Sequence, residues 1–246
     1  MMLKVIKVFL IIPVILLSLQ SCKNELNPKE IILKSLEAHG GLEKWKSVKE
    51  ISYKKTTILY DSLGAIEKKI IQTHKNTFSP KFRAEMVWVE NTVQKKVVFE
   101  DDKISVYFDN VIQGDSDLKE KYYKSVIAAH YVIWQPYKLL DEEVILSYVG
   151  IDTIDSKEVY IVKVTYFNDD GSSANTWWYY FDVLTYKLVG NMVHHGTTYS
   201  YIVNTKYEDK TGLSLNAERK SYMTDSLRNP RFLRADYSYE ILGLKN

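Results

Sequence analysis

Residues 176–207 read TWWYYFDVLTYKLVGNMVHHGTTYSYIVNTKY. Within this stretch, three runs of alternating character (176–181, 186–194 and 199–207) are rich in aromatic and β-branched residues. A two-residue period and this composition are typical of β-strands. The runs are separated by only a few residues, and short connections make neighbouring strands antiparallel. The stretch therefore predicts three consecutive strands of an antiparallel sheet.

The same alternation extends over most of the chain on both sides of this stretch. Further predicted strands are 51–59, 67–75, 82–88, 94–99, 104–108, 144–149, 159–167, 214–223 and 232–241. A sheet with so many strands must curl or close. We predict a mainly β fold, a large curved antiparallel sheet or half-open barrel of about ten to eleven strands.

Two helices interrupt this pattern, one near the N-terminus and one in the middle of the chain. Asn27 is a typical N-cap and Pro28 suits the first helical position, so a helix is predicted from there to about residue 38. Asp117 and Glu120 form a capping box, and apolar residues at helical spacing follow. This central helix should end before Pro136 and cover the open face of the sheet.

The N-terminus predicts a secretory signal peptide. Lys4 and Lys7 precede an apolar run over 8–19, which is too short for a mature membrane span of roughly 20 residues. Residues 19–22 resemble a bacterial lipobox, which places the cut before Cys22 and a diacylglycerol on its thiol. The alternative is an ordinary signal peptide with a chance cysteine. We predict a signal over 1–21, a short tether over 22–26 and a single domain over 27–246.

Composition excludes several classes of protein. Without Lys4 and Lys7, 31 basic residues stand against 31 acidic ones, so the mature chain is no nucleic-acid binder by charge. Cys22 is the only cysteine, which rules out internal disulfides. The domain must therefore be held by its core, for which 19 Tyr, 8 Phe and 5 Trp supply material.

Histidines provide the main candidates for chemistry. His194 and His195 are adjacent at a strand end, so they point to opposite faces unless the strand breaks at Gly196. A role in strand pairing is favoured over a metal or acid–base role. His130 on the central helix is interpreted as a partly buried structural residue. His39 ends the first helix, where a cation suits the helix dipole. No catalytic residue, metal or cofactor is predicted.

Aromatic positions point instead to a ligand cavity. A barrel of this strand count has more room than its side chains fill, and apolar cavities bind apolar ligands. The candidate ligand-binding residues are Met86, Trp88, Trp134, Trp178, Tyr180, Tyr199 and Tyr201.

Several segments resemble a known family. They are 38–41 (AHGG) with Trp45, 134–140 (WQPYKLL), 180–186 (YFDVLTY) and 207–213 (YEDKTGL). In these the chain resembles Bacteroidetes-type outer-membrane lipoproteins, which are grouped with the LolA/LolB lipoprotein-carrier superfamily. The resemblance implies a half-open barrel with helices as a lid over a hydrophobic cavity. Known carriers of this superfamily hold acyl chains of lipoproteins or other lipids there. A predicted anchor makes this chain more similar to LolB-like receptors than to the LolA-type shuttle.

The first functional hypothesis is therefore a non-enzymatic, lipid-anchored outer-membrane protein that binds lipid or another apolar ligand. The acyl chains of the diacylglycerol on Cys22, palmitate among them, would fix it to the membrane. An envelope hydrolase with a site near His194 or His195 is the second hypothesis. The third is a structural lipoprotein with an envelope protein partner.

Overall fold

The computed structural model describes residues 26–166 and 175–246. The predicted signal peptide, the tether up to residue 25 with Cys22, and the turn at 168–171 lie outside these residues. All the helices and strands reported below fall between Pro28 and Lys245.

Three α-helices are present in the described chain, where two were predicted. They are α1 (Pro28–Ala38), α2 (Leu42–Ser47) and α3 (Ser116–Ile133), and a 3-10 helix (Tyr137–Leu140) follows α3. The prediction for α1 is confirmed, because the Lys29 amide donates to Asn27 Oδ1 at 3.0 Å and Pro28 is the first helical residue. The short helix α2 is the one that the sequence did not predict.

Helix α3 begins slightly earlier than predicted. Its N-cap is Asp115, whose Oδ1 accepts from the Leu118 amide at 2.7 Å, so Asp117 lies inside the first turn. The capping box predicted at Asp117 is therefore wrong in position by two residues. An acidic residue inside the first turn is still favourable, because the helix N-terminus carries partial positive charge.

All strands belong to one antiparallel sheet. They are β1 (Glu50–Tyr60), β2 (Ile66–Thr77), β3 (Arg83–Glu90), β4 (Val93–Glu100), β5 (Lys103–Phe108), β6 (Val111–Ile112), β7 (Val144–Ile154), β8 (Lys157–Tyr166), β9 (Thr176–Asp182), β10 (Leu188–His195), β11 (Thr198–Glu208), β12 (Leu215–Thr224) and β13 (Pro230–Lys245). Their order is β6-β5-β4-β3-β2-β1-β13-β12-β11-β10-β9-β8-β7. The first and last of these strands, β1 and β13, pair with each other, and α3 connects the edge strands β6 and β7.

The predicted count of ten to eleven strands is wrong, since the described chain has thirteen. The strand that has no counterpart among the predicted runs is β6, which follows a two-residue turn with positive φ at both positions, Asp109-Asn110. Such turns match the twist of paired strands and need no glycine. The Asp109-Asn110 turn leads into β6, whose two residues are too short to show any alternation.

Helices cover one face of the sheet, called the inner face below. Helix α3 packs on β3, β4 and β5, where Tyr122 and Val126 join a buried cluster with Met86 and Trp88. Helix α1 packs against β7 and the 3-10 helix, and Leu36 enters a second buried cluster. Because α3 lies over the β3–β5 side, the central strands are left partly uncovered on the inner face. No helix of the described residues has the length and apolar character needed to cross a membrane.

Candidate functional site

A polar cavity of about 510 Å³ lies between α3 and the central strands on the inner face. Strands β1 and β2 contribute Lys55, Thr57, Ile70 and Gln72, and β10 to β13 form the opposite wall. Helix α3 closes one side with small residues, Ser125, Ala128 and Ala129. Small side chains on the helix leave the volume open, so the space between sheet and helix is hollow here.

Two cations face this polar cavity. Arg219 is 5% exposed; its Nε donates to Asn204 Oδ1 at 2.9 Å and its Nη2 to Asn191 Oδ1 at 2.8 Å. Lys55 is half-buried, and its Nζ lies 5.4 Å from the ring centroid of Tyr237. Burial lowers the pKa of Lys55; the Tyr237 phenol opposes this shift and the positive charge of Arg219 adds to it. Within the described part of the chain, neither cation forms an ion pair.

An aromatic cavity of about 890 Å³ lies on the other side of α3. Its walls include Phe78, Phe82, Tyr131, Trp134 and Trp177. Phe78 stacks on Trp134 with ring centroids 4.4 Å apart, which fixes one wall. Charged residues such as Lys138 and Asp141 also border it and pair with each other. Volumes of this size are typical of sites for small ligands.

The two cavities adjoin each other. Ala128, Val132, Gln135 and Trp177 border both. Gln135 is 2% exposed, and its Nε2 donates to the Tyr179 hydroxyl at 2.9 Å. Its Oε1 has no hydrogen-bond partner among the described residues. A buried amide oxygen of this kind is costly unless a ligand or water donates to it.

Three of the seven predicted ligand-binding residues lie on the inner face. Met86 lines the polar cavity and Trp134 lines the aromatic cavity. Trp88 borders neither; it packs on Tyr122 of α3 with ring centroids 5.4 Å apart. Whether any of the three binds a ligand stays a prediction.

The other four lie on the opposite, outer face of the sheet. Trp178, Tyr180, Tyr199 and Tyr201 form a separate cluster with Met192. Side chains alternate between faces along a strand, so Trp177 of β9 faces the cavities while its neighbour turns away. The predicted grouping of all seven around one cavity does not occur in the structure.

The histidines take mainly structural positions. His194 stacks on Tyr199 at 4.3 Å between ring centroids, and His195 Nδ1 is hydrogen-bonded to Asn175 Oδ1. His130 is 8% exposed, and burial lowers its pKa to about 3. The described residues contain no group of three or more His, Cys, Asp or Glu side chains that could hold a metal ion.

His39 does not act as a cation on the helix dipole. It is 1% exposed, and burial lowers its pKa to about 4, so the ring is neutral at neutral pH. Its Nδ1 lies 2.6 Å from the Ser214 carbonyl oxygen, and its Nε2 accepts from the Leu188 amide at 3.1 Å. The prediction that placed it at the end of α1 is right, but its partners belong to the sheet region.

The sequence reasoning missed the charged residues of the polar cavity. Lys55 lies at the centre of the alternation formed by Ile51, Tyr53 and Thr57, all of which face inward. Arg219 likewise follows an inward register on β12. A basic residue at a position where the period requires an inward side chain is the signal that could have identified them.

Three solved structures have a similar fold over most of the chain. A LolA superfamily protein from Nitrosomonas europaea superposes with a TM-score of 0.53 at 8% identity, covering 89% of this chain and 93% of that chain. A putative outer membrane lipoprotein-sorting protein domain from Vibrio parahaemolyticus gives 0.51 at 10% identity, covering 89% and 93%. A DUF1329 family protein from Desulfovibrio piger gives 0.53 at 10%, covering 89% and 92%. These similarities confirm the resemblance to the LolA superfamily at the level of fold.

No curated protein sequence matches the chain. A family model does match residues 4–214, which is most of the sequence. The chain therefore belongs to DUF6503, a family of unknown function.

Proposed function

We propose that this protein is a lipid-anchored component of the bacterial cell envelope that binds a lipid or another apolar ligand and performs no chemical step on it. The ligand site is the pair of adjoining cavities between the sheet and α3. Residues 27–246 act as one binding domain, and Cys22 carries the acyl anchor at the outer membrane.

The adjoining cavities are the observation that carries this proposal. A LolA-like sheet could be filled by its own side chains, yet small residues of α3 face open space here. The aromatic cavity offers apolar surface of the size that a small amphiphile needs. The fold similarity supports the proposal only as far as architecture, because the same fold can serve different functions.

Binding can be tested with N-phenyl-1-naphthylamine, a neutral probe that fluoresces in apolar sites. The polypeptide 22–246 with Cys22→Ser retains all the described helices and strands. We expect saturable binding by this protein. Ala128 borders both cavities and is exposed to them, so Ala128→Trp should fill the space and weaken binding about tenfold, or about 1.4 kcal/mol.

Lys121→Trp is the matched control. Lys121 is an exposed residue of the same helix and borders neither cavity, so this variant should bind the probe as the parent does. Absence of saturable binding in the parent protein would contradict the proposal. Equal binding by the two tryptophan variants would show that the probe binds elsewhere.

The anchor needs a separate experiment in cells. Metabolic labelling with palmitate should mark the full-length wild-type protein and place it in the outer-membrane fraction. Cys22→Ala should lose the label, because no other cysteine exists in the chain. Label retained by this variant would exclude Cys22 as the site of acylation.

A further inference from the structure

Lys55 and Arg219 are cations without a counter-charge in the described chain. Two other shielded basic groups of this protein are paired: Arg83 Nη2 lies 2.8 Å from Glu85 Oε2, and Lys95 Nζ lies 2.6 Å from Glu90 Oε2. Charges removed from water are normally paired, because desolvation is otherwise uncompensated. No carboxylate lines the polar cavity among the described residues. The site therefore carries positive charge that no acidic side chain of its described lining balances.

From this arrangement we infer that the ligand is an anionic amphiphile, whose carboxylate or phosphate group lies between Lys55 and Arg219 while its apolar chain extends into the aromatic cavity. The inference rests on the proposed function and specifies the chemical class of the ligand. The negative charge of the ligand is inferred from the two cations, Lys55 and Arg219.

The positions of the two cations suit a single anionic group. Lys55 is on β1 opposite Tyr239 of β13, and Arg219 is on β12 opposite Tyr237 of β13. Only β13 separates the two strands, and the two residues are offset by two positions along it, so their backbones are about 12 Å apart at about 4.8 Å per strand and about 3.4 Å per residue. The positive charge of Arg219 contributes to the lowered pKa of Lys55, so the two groups are close enough to interact electrostatically.

The guanidinium group of Arg219 is already oriented for such a contact. Asn191 and Asn204 take two of the five N–H donors of the guanidinium group and fix its plane. Neutral amide oxygens orient the group without neutralising it, so its positive charge is kept for another partner. Ser200 and Ser221 add hydroxyl groups to the same cavity wall. Charge-assisted hydrogen bonds to a carboxylate or phosphate are the strong interactions that such a site can make.

The path for the chain runs past Gln135 and Trp177, which border both cavities. Beyond them lie the rings of Phe78 and Phe82, which offer apolar surface, while charged residues such as Lys138 and Asp141 border the same cavity. A ligand with an anionic group at one end and an alkyl chain at the other matches this order of polar and apolar walls.

The test compares twelve-carbon ligands that share a chain and differ in the head group. Dodecanoate, dodecyl phosphate, dodecanol and dodecylammonium are each titrated against bound N-phenyl-1-naphthylamine, below their micellar concentrations. Both anions should displace the neutral probe at concentrations at least about tenfold lower than dodecanol, and dodecylammonium should be the weakest.

Variants then locate the charge effect. Lys55→Gln should weaken dodecanoate about tenfold and leave dodecanol within about twofold. Arg219→Gln should do the same; if it fails to fold after losing its asparagine contacts, Lys55→Gln alone decides. Lys220→Gln is the matched control, because Lys220 is the exposed neighbour of Arg219 on the same strand. The control should keep the full preference for anions.

The outcomes separate the two proposals. If the probe binds but anions and dodecanol displace it equally, or Lys55→Gln keeps the preference, the ligand class is wrong while the binding function stands. If the probe does not bind at all, the binding function itself fails.

The source of the anion is identified from lipids that co-purify with the wild-type protein from bacterial envelopes, compared with Lys55→Gln. Enrichment of fatty acids indicates a carboxylate, and enrichment of acidic phospholipids indicates a phosphate. Enrichment of neutral lipids alone overturns the proposal.

Discussion

His39 is the residue whose protonation we expect to weaken this fold at acidic pH. It connects the end of α1 to the sheet region through the Ser214 carbonyl oxygen and the Leu188 amide. The ring donates from Nδ1 to Ser214 whether or not it is charged, but it can accept from the Leu188 amide only when Nε2 carries no proton, that is, when the ring is neutral. The edge of Tyr207 packs on the ring at 5.4 Å, so little water can solvate a charge. Protonation would remove the acceptor that the buried Leu188 amide uses.

The size of the effect follows from the shift in pKa. Burial lowers the pKa of His39 from 6.5 to about 4. Above pH 6.5 the ring is neutral in both states and its stabilisation is complete. As the pH falls toward about 4, the unfolded chain binds a proton that the folded chain rejects, so the free energy of unfolding decreases. The full loss is about 3 kcal/mol, of which about 2 kcal/mol is lost by about pH 5.

The assay is urea unfolding of wild type and His39→Gln, followed by tryptophan fluorescence at about pH 8 and about pH 5. Gln does not titrate, so the advantage of the wild type should shrink by about 2 kcal/mol between the two conditions. His74 and His130 are also buried with lowered pKa values, but both proteins contain them and their effects cancel in the difference. A stability difference that is the same at both pH values would refute the assignment of His39 as a buried neutral ring.

Three further substitutions and one control test the packing of the core and the capping of α3. A Cβ on Gly190 would overlap the Ile202 carbonyl oxygen on the paired strand, so Gly190→Ala should lower the free energy of unfolding in urea by about 2–3 kcal/mol. Gly114→Ala is the control: its Cβ would meet no atom within 4 Å, so the free energy of unfolding should change by no more than about 0.5 kcal/mol. Leu36 is fully buried, and Leu36→Ala should cost about 3 kcal/mol in the same assay. Asp115→Ala removes the N-cap of α3 and should cost about 1 kcal/mol, with faster amide exchange in its first turn; unchanged exchange would contradict this role.

Local rules predicted much of the fold. The cap at Asn27 and the two-residue period of the strands depend on neighbouring residues only, and the structure confirms both. The strand count failed where the elements are shortest, at β6, because two residues carry no period. Pairing of β1 with β13 joins residues almost 200 positions apart, for example Ile51 and Leu244, and no local pattern encodes such a contact.

The site was harder to predict because period alone does not say which face is inside. In β9, both faces carry large apolar residues: Tyr179 is fully buried on the inner face and Tyr180 is 1% exposed on the outer face. Hydrophobicity therefore could not separate Trp177, which borders the cavities, from Trp178, which does not. Both faces of β9 are apolar because each packs in a buried cluster, so alternation along the strand placed the predicted ligand-binding residues Trp178 and Tyr180 on the outer face.

The tether gives a final prediction about how a ligand would enter. Leu26 packs against the buried cluster around α1 and is four positions along the chain from the proposed anchor at Cys22, a reach of at most about 14 Å. Helix α1 contacts the 3-10 helix, whose Tyr137 borders the aromatic cavity. An anchor at Cys22 would hold this end of the domain near the bilayer, and a lipid head group would then pass first toward Lys55. Inserting twenty Gly and Ser residues after Lys23 in the anchored protein should slow lipid uptake from the membrane, while leaving the affinity for dodecanoate in solution unchanged. Uptake at the original rate would show that the short tether does not position the cavity.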